Sequence, residues 1–183
     1  MPESSILKIA SARRSVRKYR PDPVPRELLD VCLEAARLAP SACNAQPYSF
    51  IVVDDPALKE KLAAAAFGGI YSACGFAAAA PVLVAVTGRR QNLTAWIGNQ
   101  VQDINFRYMD MGIAGEHFVL AAGELGLGTC WLGWFDKKAA ARTLGLPAGE
   151  RPEVLISVGW PGEEPAPRKR KTADEFRRYN PGL

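Results

Sequence analysis

Five cations crowd into the eight residues Arg13-Arg14-Ser15-Val16-Arg17-Lys18-Tyr19-Arg20, with a hydroxyl in the middle and apolar side chains between them. Such a run serves either as a solvated or partner-facing surface or as a seat for an anion. One other run compares with it, Arg168-Lys169-Arg170-Lys171, near the opposite end. The pairing favours the anion: the two runs are expected to converge on one phosphate. The apolar middle of the chain would carry whatever that phosphate is attached to. Guanidinium forks grip phosphate oxygens two at a time, and a hydroxyl with backbone amides completes the shell.

The formal charge of +4 hides how the charge is divided. The two runs plus Arg177 and Arg178 hold 11 of the 23 basic residues and none of the acids, which leaves the remainder at −7. A protein that coats itself in nucleic acid usually spreads its cations along a face or helix. Here the body would repel a polyanion, so a small anionic ligand is expected and a nucleic-acid partner is not. The 183 residues suit a single domain, 1–183. No secretory pattern is evident, and the longest apolar candidate, 76–86, is too short to span a membrane and is cut by Pro81. The expected location is cytoplasmic. Cys32, Cys43, Cys74 and Cys130 form no metal-ligand spacing, and with one histidine in the chain they read as reduced, mostly buried thiols and no metal site.

Spacing and capping residues predict the elements. A short helix over 4–11 would turn Ile6, Leu7 and Ala10 inward. A second helix, over 26–38, would open at Pro25 and bury Leu28, Val31, Cys32, Ala35 and Ala36. The small polar stretch 41–47 reads as loop and 48–53 as strand. Asp55-Pro56 opens a helix with Leu58, Leu62 and Ala65 or Ala66 inside; glycines 68, 69 and 75 then interrupt, and 81–86 reads as a buried strand. Residues 88–109 give no clear pattern. A small-residue helix over 109–125 would bury Ile113, Phe118, Ala121, Ala122 and Leu125, and Gly126 would stop it. Strands over 129–135 and 154–158 flank a short helix near 137–144. Thr172 and Glu175 form a capping box in the tail. Together these make an α+β or α/β domain of three layers.

The run Gly123-x-x-Gly126-x-Gly128 follows a helix and precedes a strand, the reverse of a dinucleotide-binding loop, so it reads as helix stop and turn. His117 reads as a satisfied helical histidine, Cys43 as a packing residue, and Trp131 and Trp134 as core or interface residues.

Four of these motifs, in order, resemble the FMN-dependent nitroreductase family over nearly the whole chain. They are Arg13-Arg14-Ser15-x-Arg17, then Pro40-Ser41-Ala42-Cys43-Asn44-Ala45-Gln46-Pro47, then 115–122 followed by Gly126 to Gly133, then Gly159-Trp160-Pro161 with the basic tail. The resemblance implies an α+β, three-layer α/β/α fold with a mostly antiparallel central sheet. It implies a homodimer with intertwined termini, FMN at the subunit interface, and a tail from about 161 to 183 reaching over the partner. Carried over by motif, Arg13, Arg14, Ser15 and Arg17 would bind FMN first, Arg13 and Ser15 at the phosphate and Arg17 at the pyrimidine edge. Ser41, Ala42, Cys43 and Asn44 match a segment given by the partner subunit. Trp131, Leu132 and Gly133 match the segment along the isoalloxazine, and Arg168 and Arg170 match C-terminal phosphate ligands. At 72–75, where some members place an amide and a lysine near the flavin, this chain has Ser-Ala-Cys-Gly, which throws more weight on Arg17.

A cation beside the N1–C2=O edge makes a flavin easier to reduce, and a glycine lets backbone approach a flat ring closely. No acid–base side chain is required. The expected activity is hydride transfer from NADH or NADPH through FMN to a small electron-poor acceptor such as a nitroaromatic or quinone, in ping-pong order. The alternatives are a flavin- or nucleotide-binding module without turnover, a basic-patch protein, and a specialised relative acting on flavin or a halogenated metabolite.

Overall fold

The computed structural model describes residues 4–88 and 105–180. Its frame is a four-stranded antiparallel sheet in the order β1-β2-β4-β3, formed by β1 (Tyr48–Val53), β2 (Val82–Gly88), β3 (Gly128–Leu132) and β4 (Arg151–Gly159). Every residue of β2 is buried, which its central place and its apolar run demand. Alternate side chains leave a strand on opposite faces, so Val82, Val84 and Val86 join one core while Leu83 and Ala85 join the other.

Helices cover both faces. Leu29, Cys32 and Ala36 of α2 (Arg26–Arg37) and Phe118, Val119 and Ala122 of α4 (Phe106–Glu124) fill the first core. Leu62, Ala63 and Ala66 of α3 (Pro56–Ala66) and Ala140 of α5 (Lys137–Thr143) fill the second. The molecule is therefore an α+β three-layer domain. No described helix is long and apolar enough to cross a membrane.

The local signals act as expected. Asp55 accepts from Leu58 N–H to start α3, Gly126 takes φ 78 after α4, and both halves of the Thr172–Glu175 capping box form ahead of α6 (Ala173–Phe176). Several expected faces are corrected. In α1 (Ser5–Ala12) no residue is buried, and Ile6 and Leu7 are exposed because the single chain packs nothing over that stripe. In α2, Leu29 is buried and Val31 exposed, because tertiary contact keeps Cys32 and Ala36 inside but turns the buried stripe toward Leu29. Helix α4 begins earlier than expected, at Phe106, and its Ile113 faces out while Met111 and Ala114 face in. The glycines interrupt as expected: α3 ends at Ala66 ahead of Gly68, and Gly69–Ala79 follows as a separate 3₁₀ stretch. Strand β3 stops at Leu132, leaving Gly133 and Trp134 exposed. Strand β4 runs longer than expected, from Arg151 to Gly159. Of the undeciphered stretch 88–109, residues 89–104 lie outside the described residues.

Candidate functional site

The chain leaves α1 at Arg13, whose N–H bonds Ile9 O, and continues extended along the sheet edge. Ser15 bridges Thr129 in parallel, and Val16 N–H donates to Thr129 O at 2.9 Å. Val16 itself is buried over Gly128, where a Cβ would stand 2.8 Å from its Cγ2; only glycine allows that approach. On the other side Gly162 N–H donates to Lys18 O at 2.8 Å and Arg20 N–H to Trp160 O at 2.9 Å. Arg17 N–H donates to Glu163 Oε1 at 2.9 Å. The basic segment is thus held between β3 and the chain leaving β4. In an extended run, residues 13, 15 and 17 fall on one side.

The cations of this segment are not spent on strong partners. Arg13 Nε stands 3.5 Å from Glu116 Oε1, with the two side chains 25% and 42% exposed. A pair so open to water holds its members weakly. Arg14 bonds the Ser11 and Arg13 carbonyls, which leaves its charge uncompensated. The Arg17 guanidinium lies over the Phe76 ring at 5.7 Å, so the 69–79 stretch offers Arg17 an aromatic face and no competing charge. A cleft of about 710 Å³ opens alongside, lined by Arg13, Arg14, Gly128, Thr129 and Glu163 among others.

At the far end of β3, Trp131 lies against α4; a Cβ on Gly115 would collide with its indole. Leu132 is buried, and Gly133 is exposed with nothing within 4 Å of where a Cβ would stand. The backbone at the strand end is therefore open to a flat partner. Between the two ends, burial pushes the Cys130 thiol above its usual range, against the opposing influence of Arg17, Ser15 and Arg13. That argues for an inert thiol.

The loop 41–46 is a separate structure. Cys43, Asn44 and Gln46 all take positive φ, at 52, 52 and 44. Such conformations are uncommon for residues other than glycine and need outside support. It comes from the buried Asp110, which accepts Ala42 N–H at 3.0 Å, and from Ser41 Oγ, which accepts Gln46 N–H at 3.0 Å. Ser41 and Ala42 are half-buried; Cys43 and Asn44 are exposed, so Cys43 is not the packing residue expected. Arg168 and Arg170 lie in exposed chain ahead of α6, and among the described residues neither has an ion-pair or hydrogen-bond partner. One chain therefore joins Arg13–Arg17 to Trp131–Gly133 and leaves the loop and the tail facing outward. His117, as expected, is a satisfied helical residue, 3.3 Å from Ala35 O.

Sequence reasoning missed Glu116, Phe76, Asp110, Tyr19 and Ser157. Asp110, a lone acid on the apolar face of α4, carried a signal; the others acquire roles only through partners distant in the chain.

The donors present fit an aromatic ring carrying a phosphate: guanidiniums and a hydroxyl at one end, open glycine backbone at the other. Comparison with known proteins agrees. A sequence profile described as "Nitroreductase family" matches residues 10–74 and 71–160. The chain is 34% identical to a protein of Thermus thermophilus named NADH dehydrogenase, over 88% of this chain and 89% of that one. It is 28% identical to a Bacillus subtilis protein named FMN reductase [NAD(P)H], over 91% of this chain and 70% of that one. The solved structure of an FMN-dependent nitroreductase from Clostridium difficile superposes with a TM-score of 0.75 at 28% identity, covering 95% of this chain and 98% of that one.

Proposed function

The chain belongs to the nitroreductase family, and from that premise we propose that it is an FMN-dependent NAD(P)H oxidoreductase. It passes hydride to a small electron-poor acceptor, a nitroaromatic or a quinone. It acts as a cytoplasmic homodimer with FMN at each subunit interface. The observation that carries this reading is the fastening of the Arg13–Arg17 segment onto β3 through Val16 and Thr129. That one frame holds the anion donors at a fixed distance from the open backbone of Gly133.

FMN, when bound, would supply a hydride relay between the nicotinamide donor and the acceptor, the two using the site in turn. Everything else falls to the chain. Arg13, with Arg14 at its side and the Ser15 hydroxyl, would neutralise and orient the phosphate. Arg17 would set its charge beside the electron-accepting edge of the ring, where it favours uptake of negative charge. Trp131, Leu132 and Gly133 would present backbone along the ring, with Trp131 kept aside by its packing on Gly115. Ser41, Ala42, Cys43 and Asn44 would complete the partner's site, their strained backbone held ready by Asp110. Arg168 and Arg170 would reach a phosphate as the tail, from about 161, folds over the partner. Pair formation would also cover the exposed stripe of α1.

The test is direct. Purified protein should be yellow, or become so on adding FMN, and should oxidise NADH or NADPH when menadione or a nitrofuran is supplied. Colourless protein that takes up no FMN would overturn the proposal. Protein that binds FMN but never oxidises either nucleotide would leave a binding module instead.

A further inference from the structure

The side chain of Tyr19 lies where the two halves of the proposed site meet. Its hydroxyl is 2.7 Å from Val16 O and 2.7 Å from Ser157 Oγ. Ser157 is fully buried on β4, and its register partner across the sheet is Cys130, one residue before Trp131. Ser157 Oγ also stands 3.5 Å from the Cys130 carbonyl. The assignment that uses the shortest distances has Tyr19 donating to the Val16 carbonyl and Ser157 donating to Tyr19. Burial pushes the Tyr19 phenol well above its ordinary range, so it stays protonated and able to donate.

Val16 is tied twice. Its N–H is held by Thr129 of β3, and its carbonyl is held by Tyr19 against β4. The peptide planes on either side of Val16 carry Ser15 and Arg17, so fixing both groups fixes where those two side chains emerge. We infer that Tyr19, seconded by Ser157, is the positioning residue that sets the Ser15–Arg17 pair against the Trp131–Gly133 strand end. Tyr19 touches no ligand itself. The inference rests on the FMN reading given above, and extends it to residues that lie behind the site.

Tyr19→Phe keeps the ring in place and removes only the hydroxyl. The expected result is FMN affinity about tenfold weaker, the scale of one net hydrogen bond, with a more negative midpoint potential of the bound flavin as Arg17 loses its fixed setting. Ser157→Ala should cause a smaller loss in the same direction. The double variant should be no weaker than Tyr19→Phe alone, because the two hydroxyls act through one bond to Val16. A Tyr19→Phe protein with affinity within twofold of the parent and an unmoved potential would overturn the inference, even if it melted at lower temperature. Should Tyr19→Phe not fold, Ser157→Ala with unchanged affinity and potential would overturn it equally. A parent protein that binds no FMN would overturn the functional reading, and this inference with it. Parent binding with indifferent variants would overturn the inference alone.

Discussion

Between Arg13 and Arg20 the backbone is held from both sides, by Thr129 on β3 and by Trp160, Gly162 and Glu163 beyond β4. Between Arg168 and Lys171 the same kinds of side chain stand in solvent on chain that belongs to no helix or strand. The charges are alike, and the cost of using them differs. A held segment has already lost its backbone freedom on folding. A free one must lose about 1–2 kcal/mol per residue when it closes on a ligand. On the proposed reading, an arginine in the first run would therefore convert most of its attraction into affinity, and one in the second run would return part of it.

The largest expected effect lies outside both runs and separates stability from binding. Glu153 is fully buried with Arg107, Lys137 and Arg151 around it, and the hydrogen bonds of Lys137 and Arg151 outweigh a burial that would raise its carboxyl, holding it below the ordinary range. Glu153→Gln should cost about 3 kcal/mol in urea unfolding while leaving FMN affinity within twofold. Because the folded value is depressed, that stability is present above the ordinary carboxylate range. It is lost as pH falls through the folded value. The gap between parent and variant should therefore narrow on acidification below about pH 4.5; a gap that widened there would break the account of this cluster.

Next, Arg13→Ala should weaken FMN by about 1.5–3 kcal/mol in a fluorescence titration, the scale of a charge-assisted hydrogen bond. Arg170→Ala should cost less, about 1 kcal/mol, since ordering the tail offsets part of its contribution. Equal losses at the two positions would mean that the framework around Arg13 confers no advantage. Lys8→Ala, on the exposed face of α1, should change affinity by less than about 0.5 kcal/mol. A loss there as large as at Arg13 would replace a built site with diffuse charge.

The same contrast explains what could be read in advance. The Thr172–Glu175 box, the Asp55 cap and the Gly126 stop were legible because each is a bond or backbone state settled within a few residues. Strand β1 was legible from its β-branched and aromatic content. The faces of α1 and α2 were not, since Leu29 and Val31 both suit the helical period and only packing chooses between them. The end of β3 was hidden as well: Trp134 leaves the strand to donate to Ile70 O at 2.9 Å, a partner 64 residues away. In the candidate site, clustered charge is what draws attention to Arg13 to Arg17. Tyr19 and Ser157, 138 residues apart, looked like an aromatic beside a basic run and a serine in an apolar strand.

The central claim is that the clamped segment at Arg13–Arg17 grips a phosphate at a fixed distance from the open end of β3. Parallel titrations of FMN and riboflavin against the apoprotein and its Arg13→Ala variant test it most directly. The parent should prefer FMN strongly, and the preference should collapse in the variant, with riboflavin binding little changed. A parent that binds the two flavins equally well would contradict it.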